Sequence, residues 1–116
     1  MVDRSVLESI NSYFFNLKKN NIPVSFGVLF GSYARGNADE NSDIDLVIVS
    51  PHFDRQGSKL SEILTLWRIA ARTDSRIEPV HCGENEWRKK KNRMIIEIAR
   101  QEGEILKPQE DSTDNG

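Results

Sequence analysis

The first twenty positions or so place apolar residues at the spacing of an amphipathic helix. Ser5 and Glu8 form a capping-box pattern in front of this stretch. The sequence therefore predicts a helix from about Val6 to Lys19, after which Asn20 and Asn21 can leave the helix in a left-handed conformation. The apolar positions of this helix are Val6, Leu7, Ile10, Tyr13, Phe14 and Leu17.

Three short apolar runs predict strands, and these runs are Val24–Phe30, Ile44–Val49 and Ile77–Cys82. The second run is apolar on both faces, so we expect it to be a central strand. A Gly-Ser pair with a helical turn ends the first run. A loop rich in Gly, Asn, Asp and Ser, from Gly36 to Ser42, then leads into the second run.

Two further helices are predicted in the second half of the chain. One follows a loop from Pro51 to Ser58 and ends near Arg72. The other is predicted to be one long helix, capped by Asn85 and closed by Gly103. Their apolar faces are predicted to be Leu60, Ile63, Leu64, Trp67, Ala70 and Ala71 in the first helix, and Trp87, Met94, Ile95 and Ile98 in the second.

The order of these elements predicts an α/β (α+β) domain in which helices pack on a small mixed β-sheet. Ile105 and Leu106 are expected to add a short last strand, which Pro108 ends. One domain is therefore expected over residues 1–108. The polar and acidic residues 109–116 are expected to form a disordered tail.

Composition narrows the class of protein. The chain has 116 residues, and 16 Lys and Arg against 18 Asp and Glu give a formal charge of −2, which excludes a strongly basic nucleic-acid coat protein. No apolar stretch approaches the roughly 20 residues of a membrane helix, and no apolar leader is present near the N-terminus. We therefore expect a protein that does not bind membranes. The single Cys82 excludes an internal disulfide, so we expect the reducing environment of the cytoplasm.

The junction after the first strand carries the first candidate site. A strand that runs into Gly31-Ser32 and a helical turn presents free backbone N–H groups and a hydroxyl. Gly31 has no Cβ to keep a phosphate away. This segment is therefore predicted to bind the phosphates of a nucleoside triphosphate.

Acidic residues on the two later strands form the second candidate site. Side chains alternate along a strand, so Asp43 and Asp45 are expected on one face, about 6 to 7 Å apart. Glu78 joins them if its strand is the neighbour, because alternation puts Glu78, Val80 and Cys82 on one face. Two or three carboxylates repel each other unless a cation neutralises them, and Mg²⁺ prefers such oxygen ligands. The pattern predicts a site for Mg²⁺, with two ions expected.

The segments Phe30–Ser32 and Asp43–Leu46 resemble the motif of the DNA polymerase beta-like nucleotidyltransferase superfamily. The fuller runs Gly31–Gly36 and Ser42–Leu46 look like the minimal nucleotidyltransferases, small proteins often encoded beside a helical HEPN partner. The resemblance is strong over Val24–Val49 and weaker towards the C-terminus. It implies a polymerase beta-like palm fold.

The resemblance also implies roles for single residues. Gly31 and Ser32 would contact the nucleotide phosphates, and Asp43, Asp45 and Glu78 would hold Mg²⁺. Members of the family often carry Asp at the third acidic position, where this chain has a glutamate followed by a proline.

Each of three features allows two interpretations. Glu78 is a metal ligand or a surface residue of a strand, and Arg35 neutralises a phosphate or is a solvated loop residue. The basic run Arg88–Arg93 binds RNA or an acidic partner, or it is the solvated face of a helix, which its acidic neighbours favour. Binding to nucleic acid and formation of a homo-oligomer therefore stay open.

These observations predict a Mg²⁺-dependent nucleotidyltransferase that transfers a nucleoside monophosphate, AMP from ATP, to an acceptor such as a protein hydroxyl. A chain this short is expected to leave recognition of the acceptor to a partner. By resemblance, that partner is a HEPN toxin and this chain is its antitoxin. The alternatives are a binding protein with weakened catalysis that acts by contact, and a nucleotide-sensing regulatory domain.

Overall fold

A four-stranded mixed sheet organises the computed structural model, which describes residues 2–89 and 93–109. The strand bounds are Phe26–Phe30 for β1, Ile44–Val49 for β2, Ile77–Cys82 for β3 and Glu104–Leu106 for β4. The strands lie in the order β3-β2-β1-β4. β1 pairs antiparallel with both β2 and β4, whereas β2 and β3 are parallel. The predicted α/β class and the central position of Ile44–Val49 are confirmed.

The first helix, α1, spans Arg4–Lys19 and starts before the predicted capping box. Asp3 is its N-cap, and the Asp3 carboxylate accepts a hydrogen bond from the Ser5 N–H at 3.2 Å. The prediction that Ser5 caps the helix is therefore wrong, because an acid two residues earlier reaches the free N–H groups first. The left-handed exit is confirmed at Asn21, which has φ 66°.

A short helix, α2, over Ser32–Arg35 follows β1. The longer helix α3, Leu60–Thr73, packs with α1 on one face of the sheet. The Tyr13 hydroxyl donates a 2.9 Å hydrogen bond to the Leu66 carbonyl, which joins the two helices inside the core. Burial raises the pKa of Tyr13, so this hydroxyl keeps its proton. The predicted loop before α3 contains a short 3-10 helix, Pro51–Asp54, whose Phe53 is buried.

The strand β2 divides its side chains between the two faces of the sheet. Ile44, Leu46 and Ile48 contribute to the core beneath α1 and α3. Val47 and Val49 contribute to a second core on the opposite face. Alternation therefore assigns residue 45 to the face of the second core, which becomes important for the site.

The predicted long helix from Asn85 to Gly103 is wrong. The structure has a short helix, α4, over Glu84–Arg88 and a separate helix, α5, over Met94–Glu102. Lys89 and Arg93 both have extended ψ angles, near 145°, which break the helical path on either side of residues 90–92. Those three residues, part of the predicted basic run, lie outside the described residues.

The break also changes which face of α5 is buried. Ile96 and Ala99 pack in the second core, whereas Met94, Ile95 and Ile98, predicted as the apolar face, are exposed. The prediction took its helical phase from Trp87, and the break resets that phase. Trp87 instead packs edge-on against Phe26, with ring centroids 5.6 Å apart.

The end of the described chain agrees with the predicted last strand. β4 continues directly from α5 through Gly103 and pairs with β1. The predicted tail, apart from Gln109, lies outside the described residues. Within residues 2–89 and 93–109, no helix has the length and apolar character needed to cross a membrane.

Candidate functional site

The Gly31-Ser32 junction lies where β1 turns into the four-residue helix α2, Ser32–Arg35. Gly31 has φ 77° and ψ −149°, a conformation that is essentially restricted to glycine. A Cβ at this position would collide with the carboxylate of Asp45. The glycine therefore allows the predicted phosphate segment to approach an acid of the predicted metal site directly.

Strand pairing brings two of the three predicted acids side by side. Asp45 and Glu78 are paired positions in the parallel register of β2 and β3, and alternation assigns both to the face of the second core. Asp43 lies just before β2, is exposed, and is near enough to Glu78 to raise its pKa. The structure thus collects Asp43, Asp45 and Glu78 at one end of the sheet.

The electrostatics of this group show uncompensated negative charge. Burial, then the Asp43 charge, then the Glu102 charge raise the pKa of Asp45, and the Arg35 charge opposes them only in part. Burial, then interaction with the Asp43 side chain, then the Asp45 charge raise the pKa of Glu78. A bound cation would offset the repulsion among these carboxylates.

The chemistry of these oxygen donors fits Mg²⁺, which is usually bound by one or two carboxylates together with substrate phosphates. Within the described ranges, however, no group of three or more His, Cys, Asp or Glu side chains is arranged so that it could hold a metal ion. The donor chemistry of Asp43, Asp45 and Glu78 therefore fits Mg²⁺, whereas the arrangement of their carboxyls in this structure is not that of a coordination site.

An unpredicted residue, Glu102, contacts the segment that follows β1. The Gly31 N–H donates a 2.7 Å hydrogen bond to Glu102 Oε2, and the Arg35 guanidinium lies 3.1 Å from the same oxygen. Glu102 ends α5, 71 positions further along the chain. Its role is visible only from the β1–β4 register, in which Leu29 pairs with Glu104, so that Gly31 stands opposite Glu102.

A second unpredicted residue, Arg76, supports the loop that connects the Gly31-Ser32 turn to the acids Asp43 and Asp45. Its guanidinium is paired with Asp74 at 2.8 Å and also donates to the Tyr33 hydroxyl at 3.3 Å and to the Glu40 carbonyl at 3.4 Å. Tyr33 in turn donates to the Asp39 carbonyl at 3.1 Å. This network attaches the segment that leads to the site acids to the start of β3.

This fold and site define a nucleotidyltransferase-type domain, in which a Gly-Ser turn adjoins an Asp-x-Asp run at the start of a strand. The comparisons agree. The family model of the nucleotidyltransferase domain matches residues 16–108, so the chain belongs to that family. No curated protein matches the chain significantly.

Two solved structures share the fold. One, described as a toxin-antitoxin with AMP-PNP, has a TM-score of 0.57 at 22% identity, covering 90% of this chain and 77% of that chain. The other, a mutant of the toxin-antitoxin MntA-HpeT, has a TM-score of 0.54 at 20% identity, covering 90% of this chain and 76% of that one. The predicted nucleotidyltransferase fold is confirmed.

Proposed function

We propose that this chain is a Mg²⁺-dependent nucleotidyltransferase that transfers AMP from ATP to a hydroxyl of a partner protein. The observation that carries the proposal is the direct approach of Gly31 to the Asp45 carboxylate, which no side chain larger than glycine would allow. A phosphate bound at Gly31 would lie beside the acids, within reach of a cation held by them. This is the arrangement that nucleotidyl transfer requires.

The site has two halves with one task each. The phosphate half consists of Gly31, Ser32 and Arg35, and the acidic half consists of Asp43, Asp45 and Glu78. The Gly31 N–H, the Ser32 hydroxyl and the Arg35 guanidinium bind and orient the phosphates. Asp43, Asp45 and Glu78 would hold Mg²⁺, two ions in the full site. Bound Mg²⁺ would lower the pKa of the attacking hydroxyl and neutralise charge on the triphosphate.

Transfer replaces one bond at the α-phosphorus of ATP with another. The acceptor oxygen forms a bond to the α-phosphorus of ATP, and the bond from that phosphorus to the bridging oxygen of the β-phosphate breaks. Pyrophosphate leaves, and the hydroxyl proton passes to water. Catalysis here depends on positioning and on charge stabilisation, which the rigid sheet end and its acids supply.

The proposed partner is a HEPN toxin, with this chain as its antitoxin. The support is the motif resemblance together with the toxin-antitoxin descriptions of both structural neighbours. AMP-PNP in one of those structures favours adenine as the base. Location in the cytoplasm follows from this role.

The test is transfer of label from ATP labelled at the α-phosphate, with the purified chain, Mg²⁺ and the co-expressed protein of the adjacent gene. The native protein is expected to label its partner, and Asp43→Asn or Glu78→Gln to reduce labelling at least about 100-fold. Glu40→Gln is the matched control, because this exposed glutamate lies in the same loop and contributes only its carbonyl to the Arg76 network. Equal labelling by all variants would overturn the proposal.

A second candidate function is a binding protein that neutralises its partner by contact alone. Two observations favour it: Glu102 holds the Gly31 N–H, and the described acids are not arranged as metal ligands. In the same assay, absence of labelling together with an intact complex would select this function.

A further inference from the structure

The position of Glu102 sets a condition on nucleotide binding, and the inference rests on the proposed function. A backbone N–H carries one hydrogen and donates one normal hydrogen bond. The Gly31 N–H already donates to Glu102 Oε2 at 2.7 Å. A phosphate oxygen and the Glu102 carboxylate therefore cannot both occupy this donor.

Arg35 does not remove the conflict. Its guanidinium lies 3.1 Å from Glu102 Oε2 and 3.4 Å from Oε1, so the same carboxylate contacts both the Gly31 N–H and the Arg35 guanidinium. The Glu102 side chain is 26% exposed and that of Arg35 is 52% exposed, so solvent reaches the pair and exchange is feasible. The carboxylate thus imitates the anion that the segment is proposed to bind.

The backbone explains why Glu102 reaches this position. Gly103 lies close to both α5 and β1. A Cβ at this position would collide with the Ala99 carbonyl of α5 and with the Val28 side chain of β1. The glycine lets the chain pass from α5 into β4 against β1, and the antiparallel register then puts residue 102 opposite Gly31. Glu102 is therefore positioned by the junction of α5 and β4 rather than by a flexible loop.

We propose that Glu102 is an intramolecular competitor for the nucleotide phosphates, and that nucleotide binds only when its carboxylate leaves Gly31 and Arg35. Glu102 also adds a fourth negative charge beside Asp43, Asp45 and Glu78, with Arg35 as the cation on this side. The competition regulates affinity at the phosphate half of the site. Free triphosphate is disfavoured relative to Mg²⁺-bound triphosphate, because its larger negative charge is repelled by Glu102 and the site acids.

The test compares the dissociation constants of Mg²⁺–AMP-PNP and Mg²⁺–tripolyphosphate, measured by calorimetry, for the native chain and Glu102→Gln. We expect Glu102→Gln to bind both about fivefold more tightly, because a neutral amide competes less well than a carboxylate for the same donors. Glu104→Gln is the matched control: it removes the same charge two residues away, at an exposed position paired with Leu29, and is expected to change neither constant.

A melting curve of each variant confirms folding, and the NMR shift of the Gly31 amide supplies an independent readout. This shift should differ between the native chain and Glu102→Gln without ligand and become the same at saturation with AMP-PNP. Equal or weaker binding by Glu102→Gln, or a Gly31 amide that AMP-PNP leaves unmoved, would overturn the proposal while leaving transfer activity intact. Tighter binding without label transfer would instead overturn only the proposed function.

Discussion

The two halves of the site differ in how far their charges are satisfied. In the acidic half, Asp45 and Glu78 are adjacent in the sheet, and the pKa of each is raised by burial and then by its acidic neighbours. In the phosphate half, the Gly31 N–H and the Arg35 guanidinium are already paired with Glu102. The acidic residues are left with excess negative charge, whereas Gly31 and Arg35 already have an anionic partner within the chain.

This difference indicates how the protein would respond to a ligand. A cation stabilises the acidic half directly because it removes repulsion. An anion gains at the phosphate half only the difference between its own contacts and those of Glu102. Cation binding is therefore expected to favour nucleotide binding. Substitutions in the acidic half and in the phosphate half should have separable effects on label transfer, nucleotide affinity and stability.

The largest effect is expected in the acidic half, from Asp45→Asn. Label transfer should fall at least about 100-fold, whereas the free energy of unfolding of the metal-free protein at neutral pH should stay equal or rise by up to about 1 kcal/mol. Because the folded-state pKa of Asp45 is raised, its contribution to stability is complete below its ordinary value and is lost as the pH rises. The advantage of Asp45→Asn should therefore grow as the pH is raised above about 4.

Chemical denaturation over a pH series checks this, alongside the transfer assay. A loss of about 1 kcal/mol or more in Asp45→Asn, with transfer unchanged, would show a structural aspartate and contradict the account of the acidic half.

The next largest effect is expected at the contact between the halves, from Gly31→Ala. Alanine would be strained at φ 77° and its Cβ would collide with Asp45, so stability should fall by about 2 to 3 kcal/mol and nucleotide binding should be lost. Gly57→Ala is the matched control, because Gly57 also has a positive φ, 96°, but has open space around it. It should lose only about 1 kcal/mol and bind nucleotide normally. Similar effects of the two substitutions would argue against a special contact at Gly31.

A smaller effect is expected in the support of the acidic half, from Asp74→Asn. Hydrogen bonds from Arg76 and Ser9 hold the pKa of Asp74 well below its ordinary value of 3.8. A lowered pKa adds stability above that ordinary value, and this stability is lost as the pH falls. Urea denaturation at pH 7 should show a loss of about 1 to 2 kcal/mol, which shrinks below about pH 4. A loss independent of pH would contradict the ionic account.

The smallest effect is expected outside both halves, from removal of residues 109–116. This segment contains no apolar side chain that could offset the entropy of ordering it. The melting temperature of the shortened chain should stay within about 2 °C of the native value. A fall of several degrees would show that the segment is docked and would extend the folded unit beyond residue 108.

Local patterns were sufficient to predict most elements of the fold. Alternation along Ile44–Val49 and the left-handed Asn21 depend on neighbouring residues, and both were predicted correctly. The break between α4 and α5 was not predicted, because an apolar phase taken from Trp87 continued plausibly across Lys89. Periodicity cannot detect a helix break whose two sides both remain apolar at helical spacing.

The same limit separates the two halves of the site. The acids and the Gly-Ser turn follow from motif spacing and strand alternation, so the sequence pointed to them. Glu102 and Arg76 reach the site through strand register and through hydrogen bonds over 71 and 43 positions, respectively. No local pattern marks either residue, so only the folded chain shows that Glu102 already contacts Gly31 and Arg35.

The central claim is that the two halves form one cation-dependent nucleotide site, and calorimetry of ATP binding to the native chain tests it most directly. With Mg²⁺ present, ATP is expected to bind at least about tenfold more tightly than in EDTA. Asp45→Asn is expected to abolish this difference. ATP binding that is equally tight in EDTA, or a Mg²⁺ effect that survives Asp45→Asn unchanged, would contradict the account.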